Sequence, residues 1–291
     1  MPTANKPPTE PAAGGQINLS KASFARFAGF ITAELGIKMP ETKRSLVQNR
    51  LQRRIRDLGM ASIDEYGDYF FAPSNAAERE HFINAITTNK TDFFREKEHF
   101  SYLFDVVLPE MSPSIIRHQE RLKVWSAGCS SGEEAFTLAM LLADCAASQP
   151  GLDFSILGTD ISTKVLEVAR RGIYPESQVV PVPLALRRKY LLSSVKKAHG
   201  LNRVVPALRR KVSFHELNFM DEDYRIIDLF HAIFFRNVMI YFDRDTQEAV
   251  INKICRHLVP GGYLFVGHSE SIAGLNIPLK SVKTSVYRKF K

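Results

Sequence analysis

Apolar residues recur at helical spacing through the first third of the chain and at strand spacing after it. A helical pattern begins at Ser20 and places Phe24, Phe27, Ile31 and Leu35 on one face. Gly36 and Pro40 end it. A second helix starts near Glu41 with the stripe Val47, Leu51, Ile55 and Leu58, and Gly59 closes it. Further helical segments cover roughly 63–71 and 76–86. Residues 19–90 therefore predict a small all-α domain. Residues 1–18, rich in Pro, Ala, Gly and Thr, predict a disordered tail.

From Leu122 the pattern changes to alternating strands and helices. Strands are expected over 122–127, 154–158, 212–217, 232–235 and 263–266, with a last one near 284–290. Helices are expected over 133–147, 163–171 and 244–258. That alternation predicts an α/β domain, 122–291, built on a mostly parallel, doubly wound sheet. Residues 91–121 read as a linker helix region. Residues 181–211 fit the alternation poorly and are expected to form a small β-rich insert.

Composition narrows the class. With 45% hydrophobic and 24% charged residues, the 291-residue chain is an ordinary globular protein. No run of about 18 apolar residues is present to span a bilayer. The start lacks the basic-then-apolar signature of a secretion signal. Cys129, Cys145 and Cys255 are scattered, which disfavours disulfides and a zinc site, so a cytoplasmic location without a metal is expected. The net charge of +8 is unevenly placed. Lys43, Arg44, Arg50, Arg53, Arg54 and Arg56 crowd the second helix. Arg187, Arg188, Lys189, Lys196, Lys197, Arg203, Arg209, Arg210 and Lys211 crowd the insert region, with no acid among them. Such patches attract acidic partners of any kind: nucleic acid, anionic lipid or protein.

The chemistry starts at Val124-Trp-Ser-Ala-Gly-Cys-Ser-Ser-Gly-Glu-Glu-Ala-Phe136. A strand runs into Gly128 and Gly132, which allow a tight turn and close approach by a ligand, and a helix follows at once. The spacing matches neither a dinucleotide fingerprint nor a P-loop. Glu133 and Glu134 occupy the first helical turn, where they repel a diphosphate but welcome a cation. S-adenosylmethionine has no phosphate and carries a sulfonium and an ammonium. The bland alternative is that both acids only complement the helix dipole. Asp160 ends the next strand, where an acid accepts hydrogen bonds from ribose hydroxyls; a helix N-cap is its bland alternative.

Four segments carry a family resemblance: Thr88-Asn-Lys-Thr-Asp-Phe-Phe-Arg95, Gly128-Cys-Ser-Ser-Gly-Glu-Glu134, Phe235-Arg-Asn-Val-Met-Ile-Tyr-Phe242 and Gly262-Tyr-Leu-Phe-Val-Gly-His-Ser-Glu270. In this order they closely resemble the chemotaxis receptor methyltransferase (CheR) family, from about Ser20 to the C-terminus. The resemblance implies a Rossmann-like class I methyltransferase domain that binds S-adenosyl-L-methionine and releases S-adenosyl-L-homocysteine. It implies that Asn89, Thr91 and Arg95 reach the cofactor, that Glu134 contacts its methionine or nucleoside part, and that Asp160 holds the ribose. Asn218 and Phe219 would flank the adenine, Arg236 and Asn237 would line the pocket, and Tyr241 would lie near the methyl, with Arg95 and Tyr241 as the catalytic pair. Relatives often read Ala-Ala-Ser-Thr-Gly where this chain has Gly128-Cys-Ser-Ser-Gly132, a mild departure.

The implied reaction esterifies glutamate side chains on the cytoplasmic helices of chemoreceptors. A glutamate is already ionised at neutral pH and the sulfonium methyl is already activated, so positioning is the main task. The resemblance assigns Arg50, Arg53, Arg54 and Arg56 to receptor binding, and the 181–211 insert to an acidic-aromatic peptide at the receptor C-terminus. A monomer without membrane insertion or nucleic-acid partner is expected. A nucleic-acid methyltransferase suits the basic charge, but the end of the 232–235 strand lacks the Asn/Asp-Pro-Pro-aromatic motif that grips a base amino group. A cofactor-binding scaffold without turnover is the non-enzymatic rival.

Overall fold

The structure, a computed structural model, describes residues 18–194 and 200–290. The expected N-terminal tail, save its last residue, lies outside the described residues, as do Lys196 and Lys197 of the basic run. The chain divides into two compact units. One runs to Gly29 and resumes over Pro40–Ile86; the other holds Phe30–Met39 and everything from Thr87 onward.

The first unit takes the start of α1 (Lys21–Leu35) together with α2 (Arg44–Asp57), α3 (Ile63–Phe71) and α4 (Glu78–Ile86). Val47, Leu51 and Ile55 are buried along α2, as their spacing predicts. The Phe27 ring lies among Tyr66, Phe70, Phe71 and Phe82, 5.4 Å from the Phe82 ring. Ser62 caps α3 by accepting from the Glu65 N–H.

Two of the four arginines assigned to receptor binding, Arg50 and Arg54, are engaged within the protein. Arg54 grips Glu78 with two hydrogen bonds, Nε to Oε1 at 2.8 Å and Nη2 to Oε2 at 2.6 Å. Tyr66 donates to the same carboxylate at 2.8 Å. Burial alone would raise the Glu78 carboxyl, but these donors bring it below its ordinary range. Arg50 reaches the carbonyl of Ile86 and ties α2 to the end of α4. Arg53 and Arg56 are exposed, Arg53 with Asp57 at 3.9 Å. Their spacing on α2 hides this division, because the partners arrive from α3 and α4.

In the second unit, α5 (Lys97–Tyr102), a π-turn (Leu103–Val107) and α6 (Leu108–Arg117) precede the sheet. Then follow β1 (Arg121–Ala127), α7 (Glu133–Ser148), β2 (Asp153–Asp160), α8 (Thr163–Arg171), β3 (Ile173–Pro175), α9 (Glu176–Val179), α10 (Leu184–Tyr190), β4 (Leu191–Ser193), β5 (Leu201–Val204), α11 (Pro206–Arg209), β6 (Val212–Glu216), β7 (Phe230–Phe235), α12 (Arg244–Arg256), β8 (Leu258–Val266), β9 (Leu279–Lys283) and β10 (Val286–Lys289). The main sheet runs in the order β6-β2-β1-β7-β8-β10-β9. Its first five strands are mutually parallel, and β10 runs antiparallel to both of its neighbours, β8 and β9.

Both faces are covered at the centre of the sheet, so β7 and the end of β8 are buried almost residue by residue. Alternation still sorts the side chains: Val124, Ala232 and Phe234 enter one core, and Trp125, Ile233 and Phe235 the other. The β9–β10 hairpin adds one strand that the sequence does not announce. The second sheet, β3-β5-β4, is antiparallel and begins at Ile173, ahead of the expected insert, with short helices between its strands. Phe30–Met39 belongs with the sheet unit because Lys38 N–H donates to the Tyr241 carbonyl at 2.8 Å and Asn218 Nδ2 to the Glu34 carbonyl at 2.7 Å. No helix among the described residues is long and apolar enough to cross a membrane.

Candidate active site

Strand order reverses between β1 and β7, and the crevice outside the carboxyl ends of parallel strands is where such sheets take ligands. Glu134, Asp160, Asn218, Phe219, Arg236, Asn237 and Tyr241 all follow those ends. β1 leads into a turn with Gly128 at φ 82°, Ser130 at φ 49° and Gly132 at φ 94°. Asp160 fixes that turn: its Oδ2 accepts from Ser130 N–H at 2.9 Å and its Oδ1 from Ser162 N–H at 3.0 Å. The Thr159 carbonyl accepts from both Gly128 and Cys129 N–H groups at 2.8 Å. Burial raises the Asp160 carboxyl, although these N–H groups pull it back. Asp160 thus shapes the turn whatever else it binds.

The two glycines serve the tight turn that the sequence predicts and also meet a packing demand. A Cβ on Gly128 would meet Val238 Cγ2 at 2.5 Å, and one on Gly132 would meet Ala169 Cβ at 2.9 Å and the Tyr174 hydroxyl at 3.1 Å. Protein packing and left-handed backbone both require glycine at these two places.

The paired acids also divide their work. Glu134 accepts from Ser126 Oγ and from Arg236 Nε, each at 2.6 Å. Glu133 is 2% exposed and accepts from Ser131 Oγ at 2.7 Å, and burial pushes its carboxyl up to about 7. The negative charge offered to a cation at the start of α7 is therefore smaller than two free carboxylates would supply.

Arg236, at the end of β7, is the hub that sequence spacing could not reveal. Besides Glu134, it donates through Nη1 to the Arg95 carbonyl at 2.8 Å and lies 3.2 Å from His99 Nδ1 and 3.4 Å from Glu96 Oε2. Arginine can only donate, so His99 Nδ1 accepts and its proton sits on Nε2. That Nε2 is buried without a partner among the described residues. Burial first, and Arg236 second, push the His99 imidazole down to about 4, so it is neutral. Glu96, His99 and His268 bring three ligand-type atoms within 4.8 Å of one another. The Arg236 guanidinium already places a positive charge against two of these groups, which opposes a metal ion there.

The 88–96 segment lies along the same turn. Ser130 Oγ donates to the Asn89 carbonyl at 2.8 Å, and Phe94 N–H donates to Thr137 Oγ1 at 3.2 Å. The side chains of Asn89 and Arg95 turn back onto their own segment, to Thr87 Oγ1 at 3.2 Å and the Lys90 carbonyl at 3.1 Å. Thr91 is half-buried beside them. Asn218 uses both ends of its amide, Nδ2 on Glu34 and Oδ1 on the Met220 N–H. Phe219 packs edge-on to Phe235 at 4.9 Å, near Gly128. Tyr241 sits half-buried in the 3-10 turn Met239–Tyr241. Glu96, just past the first motif, has no role in the sequence pattern yet meets Arg236 here.

The sequence matches two family models: CheR methyltransferase, SAM binding domain, over residues 89–288, and CheR methyltransferase, all-alpha domain, over residues 22–87. A chemotaxis protein methyltransferase of Borreliella burgdorferi is 36% identical over 94% of this chain and 96% of its own length. One from Salmonella typhimurium is 39% identical over 89% and 87%, respectively. Chemotaxis protein methyltransferase 2 of Pseudomonas aeruginosa is 35% identical over 99% of each chain. With its catalytic and helical parts both matched, the chain belongs to the CheR methyltransferase family, enzymes with an S-adenosylmethionine-binding domain.

Proposed function

We propose that this methyltransferase esterifies glutamate side chains on the cytoplasmic helices of chemoreceptors. The observation that carries the reading is the turn 128–134, which holds two acids and no base, beside buried Asp160. Even with Glu134 paired to Arg236, this set of acceptors suits a nucleoside bearing a cationic group better than a diphosphate. The relatives' names supply the chemotaxis setting.

Bound S-adenosylmethionine supplies an activated methyl group on its sulfonium. The protein's residues have to align that group with a carboxylate oxygen and exclude water. In this reading Asp160 holds the ribose, Glu134 the methionine or nucleoside part, and Asn218 and Phe219 flank the adenine. Asn89, Thr91, Arg236 and Asn237 complete the pocket. Arg95 swings from the Lys90 carbonyl to grip the incoming carboxylate, and the Tyr241 hydroxyl lies beside the methyl. No general base is needed, because the glutamate arrives ionised.

The test is transfer of labelled methyl from S-adenosylmethionine to receptor membranes as base-labile ester. Transfer to RNA or DNA instead, or binding without turnover, would refute the reading. Arg95→Ala is expected to lower kcat by on the order of 10²-fold while S-adenosylhomocysteine still binds. Unchanged kcat would remove Arg95 from the chemistry.

Exposed Arg53 and Arg56 on α2 are proposed to steer acidic receptor helices. Arg53→Glu with Arg56→Glu should slow receptor methylation at least about tenfold at low salt, with the difference shrinking at high salt. Equal rates at low salt would end the steering role. Arg54 is unsuited to this test, because Arg54→Glu would strand buried Glu78. The insert presents Leu184 and Leu192, each more than half exposed, on a segment that also carries exposed Arg188, which suits an acidic-aromatic peptide from a receptor tail.

A further inference from the structure

Asn237 adopts φ 60°, a left-handed conformation that is uncommon outside glycine but that asparagine accepts more readily than most residues. Two carboxylates hold it there. Glu270 is 8% exposed, and its Oε2 accepts from Asn237 N–H at 2.8 Å and Gly267 N–H at 2.7 Å. Its Oε1 accepts from Ile240 N–H at 3.3 Å, in the turn that carries Tyr241. From the other side, Glu96 Oε1 accepts from Asn237 Nδ2 at 3.3 Å, and Glu96 itself holds φ 53°. Gly267 leaves no room for a side chain: a Cβ there would lie 2.6 Å from Asn237 Nδ2 and 2.8 Å from Glu270 Oε2. Burial raises the Glu270 carboxyl, while N–H groups of Gly267, Asn237, Ile240 and Met239 counter it.

A carboxylate aimed wholly at backbone donors has one job, which is to fix the backbone that bears them. We propose that Glu270 is a positioning residue for methyl transfer, locking the segment Asn237 to Tyr241 in its reactive conformation. This rests on the placement of Asn237 and Tyr241 at the methyl-transfer site. Glu270 touches no reacting atom; it acts through the turn.

Glu270→Gln separates the two arms. The amide oxygen can replace Oε2 and keep Asn237 and Gly267, but its NH2 then faces the Ile240 N–H, donor against donor. In the full chain the variant should bind S-adenosylhomocysteine within about threefold of wild type, while kcat at saturating substrates falls at least about tenfold. Amide exchange at 239–241 should quicken by a similar factor. Glu270→Ala should lose both arms and weaken cofactor binding as well. If that variant fails to fold, the amide variant carries the test. A merely structural role would lower the melting temperature of both variants and leave the kcat of the folded fraction unchanged. Wild-type kcat in Glu270→Gln, or unaltered exchange at 239–241, overturns the proposal. A wild-type chain that methylates no receptor refutes the receptor reading instead, and the exchange measurement still decides the role of Glu270.

Discussion

Replacing Arg236 with methionine should lower the unfolding free energy by about 3–5 kcal/mol and abolish tight binding of S-adenosylhomocysteine. Arg236 is 7% exposed and Glu134 8%, so their pair lies in low dielectric. Breaking such a pair leaves one charge buried and unmatched, which outweighs the small net value of the pair itself. Methionine fills much of the space but cannot donate to Glu134 or to the Arg95 carbonyl. The 88–96 segment is then untied at one end, and Asn89, Thr91 and Arg95 lose their anchor to β7. Urea unfolding at pH 7 and calorimetry with S-adenosylhomocysteine read the two effects separately. Adding Glu134→Gln to Arg236→Met should restore part of the stability, since the Glu134 charge is gone while Glu96 still lacks its Arg236 partner, but not the binding. A single variant within about 1 kcal/mol of wild type would mean that water reaches the pair, contrary to its burial.

That example shows what was legible in the sequence and what was not. Local pattern sufficed where a residue's job is set by near neighbours. The helical pattern over roughly 63–71 marks α3, and the segments 122–127 and 232–235 mark strands in the centre of the sheet. It sufficed also for the strand-turn-helix at Gly128 and for the acid at the end of β2. It failed where partners meet across the fold. Arg236 and Glu134 are 102 residues apart, and Arg54 and Glu78 are 24 apart on different helices. From spacing alone, Arg54 looks the same as Arg53, yet one is an internal clamp and the other is exposed. The three strands of the small sheet are only three or four residues long, too short for an alternating pattern to stand out. Strand β9 carries Lys280 and Lys283 at the sheet edge, where charge discourages further pairing, and those lysines hide its strand character. The family resemblance picked out the motifs but not the division of labour inside them, so Glu96 and Glu270 emerge only from the contacts.

Glu133 should make the protein less stable as pH rises, and Glu133→Gln should remove that dependence. Burial raises its carboxyl from an ordinary 4.5 to about 7 in the folded chain. Below pH 4.5 both folded and unfolded states hold the proton, and the group contributes nothing. Between 4.5 and 7 the unfolded chain releases it while the folded chain keeps it, so the unfolded state binds fewer protons and stability falls with rising pH. Above 7 both states are ionised and the penalty levels off at about 3 kcal/mol. Glutamine cannot ionise, keeps an acceptor for Ser131 Oγ, and has nearly the same shape. The difference in unfolding free energy between variant and wild type should therefore grow from near zero at pH 4.5 to about 3 kcal/mol in favour of the variant at pH 8. Every other titrating group, His99 included, is common to both chains and cancels in that difference, provided its own surroundings are unchanged. Urea midpoints that run parallel across the range would mean that Glu133 is ionised at its helix start throughout. The helix dipole and the Ser131 hydroxyl would then offset burial, and Glu133 would add a negative charge at the start of α7 beside the Glu134–Arg236 pair.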